Sequence, residues 1–188
     1  VVLNMGTNRR WDVGYDTMRD VIESGRIGSL KTVISHMTGT MFNTASHIFD
    51  LLVSLNGDCP VAWVQAHLTH GDDLFDGTRL KEDPNGLGTL CCENGVMFHA
   101  MNSGRGLEVE AVGDQGVVTS IQDGKEWQVR EPGGEDYRGR KVLTAGSFPD
   151  YEYRSSTLRL IEDLVHSLDT GASPRGGIRN AYANNELI

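Results

Sequence analysis

The sequence predicts an α+β fold, in which a mostly antiparallel open sheet has helices packed on one face. Segments with the apolar period of a helix lie near both ends of the chain, and most segments between them alternate like strands. Asn94-Gly95 stands between two such strands and is a strong β-hairpin signal, and Asp123-Gly124 marks a further turn. Hairpin-linked strands flanked by helices are typical of an α+β domain.

The composition is that of a globular protein with an acidic surface. The 188 residues are 38% hydrophobic and 23% charged, with a formal net charge of −9. This length allows one domain, or one and a half, with a substantial core. We expect no nucleic-acid partner, since no basic stripe with interleaved aromatic residues occurs, and no membrane association, since no apolar run approaches about 20 residues. The three cysteines include no Cys-x-x-Cys pair, so reduced thiols in the cytoplasm are expected.

The first elements follow from local patterns. Residues 1–8 have a strand pattern, and a helix follows with Asp12 as N-cap and Gly25 at its end. Residues 30–38 and 61–70 alternate like strands. Because the chain begins in a strand with no partner nearby and ends inside a helical pattern, we expect it to be part of a longer protein.

A helix near residues 46–56 has an apolar face that covers more than half of its circumference, which predicts a largely buried helix. Asn43 or Thr44 is expected to be its N-cap. The polar residues His47, Asp50 and Ser54 gather on one flank, which we expect to face a cleft. The residues that recur at i, i+3, i+4 and i+7 are Ile48, Leu51, Leu52 and Leu55.

The second half is predicted to be a strand meander closed by helices. Residues 71–88 are rich in Asp, Gly, Pro and Asn, which predicts a long loop. Residues 132–149 are expected to be irregular, and a long helix follows that ends at Gly171. A last, incomplete helix covers residues 180–188. The predicted strands of the meander are residues 89–92, 96–101, 107–112, 117–121 and 126–130, and the apolar face of the long helix is Leu158, Ile161, Leu164, Val165 and Leu168.

Strand alternation predicts that one face of the sheet packs on the helices. The other face carries Gln65, His67 and Thr69 in one strand and is neither fully polar nor fully apolar. Such a face is a natural partner surface, and we expect a homo-oligomer formed through it.

His47 is the leading catalytic candidate, as an imidazole near a helix start and beside a carboxylate. It could act as a general acid/base on a hydroxyl group that is oxidised to a carbonyl. Alternatively, it is a histidine that is hydrogen-bonded within the core. Asp50 stands three residues later and could orient His47, or it could be a solvated helix residue.

Other polar residues allow further alternatives. Arg9 and Arg10 could contact the substrate or a cofactor domain, or form a charged turn without a specific role. His67, His70 and His99 lie on predicted strands and raise the possibility of a metal site. They lack the close helical spacing of zinc enzymes and have no thiolate pair beside them, so no metal site is expected.

Several short motifs occur in an order that, taken together, resembles the C-terminal domain of the Gfo/Idh/MocA family of oxidoreductases. The likeness covers nearly the whole chain. The motifs are Asn8-Arg9-Arg10, Glu23-Ser24-Gly25-Arg26-Ile27-Gly28, Ser46-His47-Ile48-Phe49-Asp50-Leu51-Leu52, Val61-Ala62-Trp63-Val64, Glu93-Asn94-Gly95-Val96, Gly113-Asp114-Gln115-Gly116 and Ile161-Glu162-Asp163-Leu164, closing at Asp169-Thr170-Gly171.

The resemblance implies a dihydrodipicolinate-reductase-like C-terminal domain without its Rossmann domain. Residues 1–8 would be the remnant last strand of that missing domain, and residues 9–188 a substrate-binding and oligomerisation domain truncated at its C-terminus. Neither Gly-x-Gly-x-x-Gly nor the family's Glu-Lys-Pro segment occurs here. The chain alone is therefore expected to bind no nucleotide and to be inactive, while its full-length parent would use NAD or NADP on a sugar, inositol or related polyol.

The resemblance also assigns the site residues. The family's Asp-x-x-x-His pattern falls on Asn43 to His47, with an asparagine in place of the carboxylate. An asparagine can position a hydroxyl group but exchanges no proton at neutral pH. His47 is expected to be catalytic, and Asn43, Asp50, Arg9 and Arg10 to bind substrate. The alternative function is a non-catalytic dimerisation module, or a family member that has lost activity.

Overall fold

The computed structural model describes residues 1–69 and 74–188, in which four α-helices and ten strands are assigned. Residues 70–73, which include His70 and the first part of the predicted loop, lie outside the described residues. The helices are α1 (Val13–Glu23), α2 (Ser46–Leu55), α3 (Ser156–Thr170) and α4 (Ile178–Glu186). The strands are β1 (Leu30–Met37), β2 (Val61–Leu68), β3 (Phe75–Asp76), β4 (Arg79–Leu80), β5 (Gly86–Cys92), β6 (Met97–Asn102), β7 (Glu108–Gly113), β8 (Val117–Ile121), β9 (Glu126–Glu135) and β10 (Lys141–Gly146).

Eight strands form one open sheet in the order β10-β9-β8-β7-β1-β6-β5-β2, and β3 and β4 form a separate small hairpin. Strand β1 is parallel to β6, and the other neighbours in the large sheet are antiparallel. The predicted hairpin at Asn94-Gly95 joins β5 to β6, and Gly95 has the positive φ of 84° that such a turn favours. The α+β class with a mostly antiparallel sheet is confirmed.

The core lies between the sheet and helices α1 and α2. Asp12 caps α1 as predicted, because its carboxylate accepts hydrogen bonds from the backbone N–H groups of Gly14 (2.8 Å) and Tyr15 (3.3 Å). The apolar residues of α1 recur with the helical period on one face, and this face is buried in the hydrophobic core. The sheet contributes alternate residues of each central strand, among them Val33, Met37, Leu90, Phe98, Ala100, Val109, Ala111 and Val118.

The predicted N-cap of α2 is wrong. Asn43 and Thr44 lie inside a π-helical turn, Met41–Ala45, that leads directly into the helix. The carboxylate of Asp83 caps this turn instead, since it accepts hydrogen bonds from the N–H groups of Phe42 (2.9 Å) and Asn43 (3.1 Å) and from the Thr40 hydroxyl. A cap supplied from forty residues away leaves no local sequence signal.

Three other predicted segments are wrong in part. Residues 1–7 form no strand, because no strand of the described residues lies beside them to share backbone hydrogen bonds. The long loop predicted for residues 71–88 holds the β3–β4 hairpin and the first residues of β5. The stretch 132–149 was expected to be irregular, yet β9 continues to Glu135 and pairs with β10. Glycine there reflects close packing, since a Cβ on Gly133 would lie 2.2 Å from Cγ2 of Thr144.

Helix α3 is confirmed as a helix, and Gly171 ends it in the left-handed conformation with φ of 75°. Its apolar face is largely uncovered by the described residues, with Leu158, Ile161 and Leu168 exposed by 51%, 49% and 63%. The opposite side of α3 faces residues 4–11, since Asp163 accepts hydrogen bonds from the side chains of Asn4 and Trp11. No helix among the described residues is long and apolar enough to cross a lipid bilayer.

The Asp83 cap predicts a measurable contribution to stability. We expect Asp83→Ala to lower the free energy of unfolding by about 1–2 kcal/mol, because N–H groups at the start of the helical segment lose a charged acceptor. Glu82→Ala, at the exposed neighbouring residue, is the matched control and is expected to change it by less than about 0.5 kcal/mol. Urea denaturation of both variants checks this, and equal effects would contradict the assignment.

Candidate active site

His47 is the second residue of α2 and lines an open cleft of about 360 Å³. The cleft lies between residues 5–7 on one side and, on the other, α4 and the residues after it, where Asn184 and Ile188 contribute to its wall. The imidazole is partly buried. Its Nδ1 atom is buried, and no described residue forms a hydrogen bond with it. The flank of α2 that the sequence predicted to face a cleft therefore does so at His47.

The surroundings of His47 favour the uncharged imidazole. Burial lowers the pKa of His47, and the nearby positive charge of Arg9 lowers it further, against the opposing effects of Asp50 and Asp123. At neutral pH the ring therefore has a free lone pair. An uncharged imidazole at a cleft can accept a proton from a hydroxyl group.

Asp50 fits neither of the two alternatives, since it forms no hydrogen bond with His47 and is not solvated. Its carboxylate is 2% exposed and accepts hydrogen bonds from Arg10 (Nη2 to Oδ1, 2.6 Å) and from the Thr7 hydroxyl (2.7 Å). Asp50 thus acts on the pKa of His47 through its charge rather than through a hydrogen bond between the two side chains. Substrate binding by Asp50 stays a prediction.

Arg10 is 3% exposed and lies among carboxylates. Its Nε is 3.1 Å from each carboxylate oxygen of Asp50, and its Nη1 is 2.8 Å from Oδ1 of Asp58. Burial of a guanidinium charge is costly, and the two carboxylate partners of Arg10 offset this cost. The structure therefore gives Arg10 a role in holding α2, and its predicted contact with substrate stays a prediction.

Arg9 and Asn43, like Arg10 and Asp50, lie outside the group of residues that line the cleft. Arg9 forms a bidentate ion pair with Asp123 (2.9 and 2.7 Å), which joins the N-terminal turn to the loop between β8 and β9. Its charge nevertheless influences His47. Asn43 is exposed on the π-helical turn, one turn before His47. Substrate binding by these two residues also stays a prediction.

Two polar residues of the cleft wall carried no signal in the sequence. Thr7 is buried and donates to Asp50, and Asn184 is buried on α4 and donates to the Ser46 carbonyl. They line the same cleft as His47 because the segment before the first turn and the last helix converge on α2. Neither a helical period nor a local motif reports such long-range contacts.

The described residues, 1–69 and 74–188, contain no group of three or more His, Cys, Asp or Glu side chains arranged to hold a metal ion. Nδ1 of His99 forms a hydrogen bond with the Thr89 hydroxyl at 3.0 Å. His67 is exposed on the edge strand β2, and His70 lies outside the described residues.

No family model and no curated protein matches the sequence. Solved structures do match it. One is an aldose-aldose oxidoreductase from Caulobacter crescentus complexed with glycerol, 16% identical, with a TM-score of 0.70 and coverage of 99% of this chain and 59% of that one. Another is an oxidoreductase from Agrobacterium radiobacter in complex with NAD+, L-tartaric acid and magnesium, 14% identical, with a TM-score of 0.67 and coverage of 100% and 60%. A third is a UDP-N-acetylglucosamine 3-dehydrogenase from Acidithiobacillus ferrooxidans, 11% identical, with a TM-score of 0.65 and coverage of 100% and 58%.

At these identities the likeness establishes the fold. The chain has the fold of the C-terminal domain of Gfo/Idh/MocA-type oxidoreductases, as its motifs predicted. It spans less than two thirds of the length of each of these proteins.

The charge environment of His47 predicts how its pKa responds to substitution. We expect Arg9→Gln to raise the pKa of His47, because a nearby positive charge is removed and Asp123 loses its cation. Arg26→Gln, which removes an arginine paired with Glu131, is the control and should leave it unchanged. NMR titration of the imidazole signals measures both effects.

The stability that His47 contributes depends on pH, because the folded state holds the pKa of His47 below its ordinary value. This contribution is fully present above the ordinary pKa, and it is lost as the pH falls from the ordinary pKa to the lowered pKa of the folded state. A pKa of His47 that falls in Arg9→Gln would contradict the assigned environment.

Proposed function

We propose that this chain is the substrate-binding and oligomerisation domain of a cytoplasmic NAD(P)-dependent oxidoreductase that acts on a sugar, an inositol or a related polyol. The observation that carries the proposal is His47, partly buried at a cleft that lowers its pKa, within a fold shared with sugar oxidoreductases. One of the similar structures is an aldose-aldose oxidoreductase complexed with glycerol, and another is a UDP-N-acetylglucosamine 3-dehydrogenase.

His47 would act as the general base. It would accept the proton of a substrate hydroxyl group while the carbon that bears this group is oxidised, which makes departure of the hydride easier. The nicotinamide of a bound NAD or NADP would supply the hydride acceptor. In the reverse direction His47 would return the proton. An acceptor that is uncharged at neutral pH suits this role, whereas the amide of Asn43 cannot exchange a proton.

The nucleotide would be held by an upstream Rossmann domain rather than by this chain. The sequence has no Gly-x-Gly-x-x-Gly motif to approach a pyrophosphate. A similar structure that contains NAD+ extends well beyond the matched region, which supports this division. Residues 1–8 would enter from that domain, residues 9–188 would complete the substrate site, and the chain alone would be inactive.

Substitution of His47 in the full-length parent tests the proposal. We expect wild-type protein to reduce NAD or NADP with at least one member of a panel of aldoses and inositols. His47→Gln should lower kcat by about 100-fold or more, because the proton acceptor is lost, with a smaller change in KM. His166→Gln, at an exposed histidine on α3, is the matched control. Undiminished turnover by His47→Gln would contradict the assigned role.

The uncovered face of the sheet supports the oligomerisation role and also favours a second candidate, a non-catalytic dimerisation module. On this face Ile34, His36 and Met101 lie beside Glu108 and Glu110, and Met101 is 38% exposed. No described helix packs against these residues. A mixed apolar and polar sheet face of this kind fits a second copy of the chain.

A charge placed on this face is expected to weaken self-association. Met101→Glu should raise the dimer dissociation constant by about tenfold or more, because each dimer would bury two added carboxylates on a face whose cations, Arg105 and Arg130, are already paired with Glu108 and Glu110. Tyr153→Glu, at a residue that is 77% exposed and lies outside the sheet, is the control. Light scattering over a concentration series measures both, and an unchanged mass for Met101→Glu would exclude this interface. A dimer that lacks turnover with every substrate would favour the second candidate.

A further inference from the structure

Asn184 occupies a special place in the wall of the His47 cleft. It lies on α4 and is 6% exposed, although its neighbours on this helix are mostly exposed. Its Nδ2 donates a hydrogen bond to the carbonyl oxygen of Ser46 at 3.0 Å, and Ser46 directly precedes His47. This bond fixes the orientation of the amide, so that Oδ1 is the free end of the side chain.

The Oδ1 atom of Asn184 is buried and has no hydrogen-bond partner among the described residues, and the same holds for Nδ1 of His47. Both residues line the same cleft. A buried acceptor without a partner is costly, so native structures rarely keep one without a reason. Two buried atoms without hydrogen-bond partners, on residues that line one cleft, point to a ligand that supplies the missing hydrogen-bond donors.

We propose that Asn184 is a substrate-positioning residue, whose Oδ1 accepts a hydrogen bond from the hydroxyl group next to the one that His47 deprotonates. This inference rests on the proposed function of His47. With the imidazole uncharged, each of the two residues offers one acceptor atom without a partner, and both residues line the same cleft. Two acceptors match two O–H donors, so the cleft selects a diol over a molecule with a single hydroxyl group.

The charges around the cleft agree with an uncharged ligand. Arg9 is paired with Asp123, and Arg10 is paired with Asp50 and Asp58. An anionic group would therefore meet two acceptor atoms and cations that already have partners. The cleft volume of about 360 Å³ lies at the lower end of the usual range for small-molecule sites.

Met5 contacts the other end of the Asn184 amide. Its sulfur lies 3.8 Å from Nδ2 of Asn184, which is a weak contact, while its backbone N–H donates to the carbonyl oxygen of Gly176 at 2.7 Å. The contact of Met5 with Nδ2 therefore leaves Oδ1 as the unpartnered atom of the amide.

Two probes that differ by one hydroxyl group test the inference. cis-1,2-Cyclohexanediol and cyclohexanol are titrated into the full-length protein, and the side-chain signals of His47 are followed by NMR. We expect wild-type protein to bind the diol about fivefold more tightly than the alcohol, which is the usual worth of one hydrogen bond. Equal affinities for the two probes would overturn the proposal.

Variants separate positioning from structural support. Asn184→Leu should abolish the preference for the diol, whereas Asn184→Asp, which keeps an acceptor oxygen but loses the Nδ2 donor to Ser46, should keep it. Asn180→Leu, one turn earlier on α4 and outside the cleft wall, is the matched control. Equal loss in both Asn184 variants would mean that Asn184 only supports α2, and would overturn the proposal. Should Asn184→Leu fail to fold, Asn184→Ala takes its place.

The two proposals fail in different ways. A diol preference that depends on Asn184, in a protein whose turnover does not depend on His47, would leave the binding site intact and refute the proposed base. Loss of turnover in His47→Gln together with a diol preference that ignores Asn184 would refute the positioning role alone.

Discussion

The buried ion pair between Arg10 and Asp50 holds the site together. Its closest contact is 2.6 Å, and the two side chains are only 3% and 1% exposed. Burial of two charges is costly unless further partners satisfy their hydrogen-bonding groups. Here the carboxylate of Asp58 also pairs with the guanidinium of Arg10, and the hydroxyl of Thr7 donates a hydrogen bond to the carboxylate of Asp50. The pair joins the turn Asn8–Trp11 to the middle of α2, one helical turn beyond His47. The position of the imidazole therefore depends on an interaction that involves none of its own atoms.

A second set of ion pairs extends this arrangement to the last two helices. Asp16 on α1 accepts hydrogen bonds from Arg175 (2.6 Å), and it is also paired with Arg19 and Arg159. Burial alone would raise the pKa of Asp16, but the arginines outweigh it and hold the pKa below its ordinary value. Arg175 lies three residues before the start of α4, so this set helps to place α4, and with it Asn184, against the start of α2. Its contribution to stability is lost as the pH falls through the lowered pKa of Asp16.

Local signals predicted most elements, and long-range contacts account for the rest. The N-cap at Asp12, the turn at Asn94-Gly95 and the end of α3 at Gly171 depend on neighbouring residues, and the structure confirms them. The start of α2 depends on Asp83, and β10 depends on its pairing with β9, so local composition misled both predictions. At the site, the helical period placed His47 and Asp50 on one flank of α2, yet it could not show that Asp50 forms an ion pair with Arg10. Thr7 and Asn184 reach the cleft only through the tertiary fold.

A double-mutant cycle on Arg10 and Asp50, read by urea denaturation and by the NMR titration of His47, tests the central claim most directly. Arg10→Met and Asp50→Leu should each lower the free energy of unfolding by about 3–5 kcal/mol, because the first leaves the buried carboxylate of Asp50 without its cation and the second leaves the buried guanidinium with only the more exposed Asp58. The double variant should be more stable than either single variant and should keep a folded α2, with an interaction energy of about 2 kcal/mol or more. The pKa of His47 should fall in Asp50→Leu, because a charge that raises it is removed. Additive losses in the free energy of unfolding would show that the pair does not hold the site.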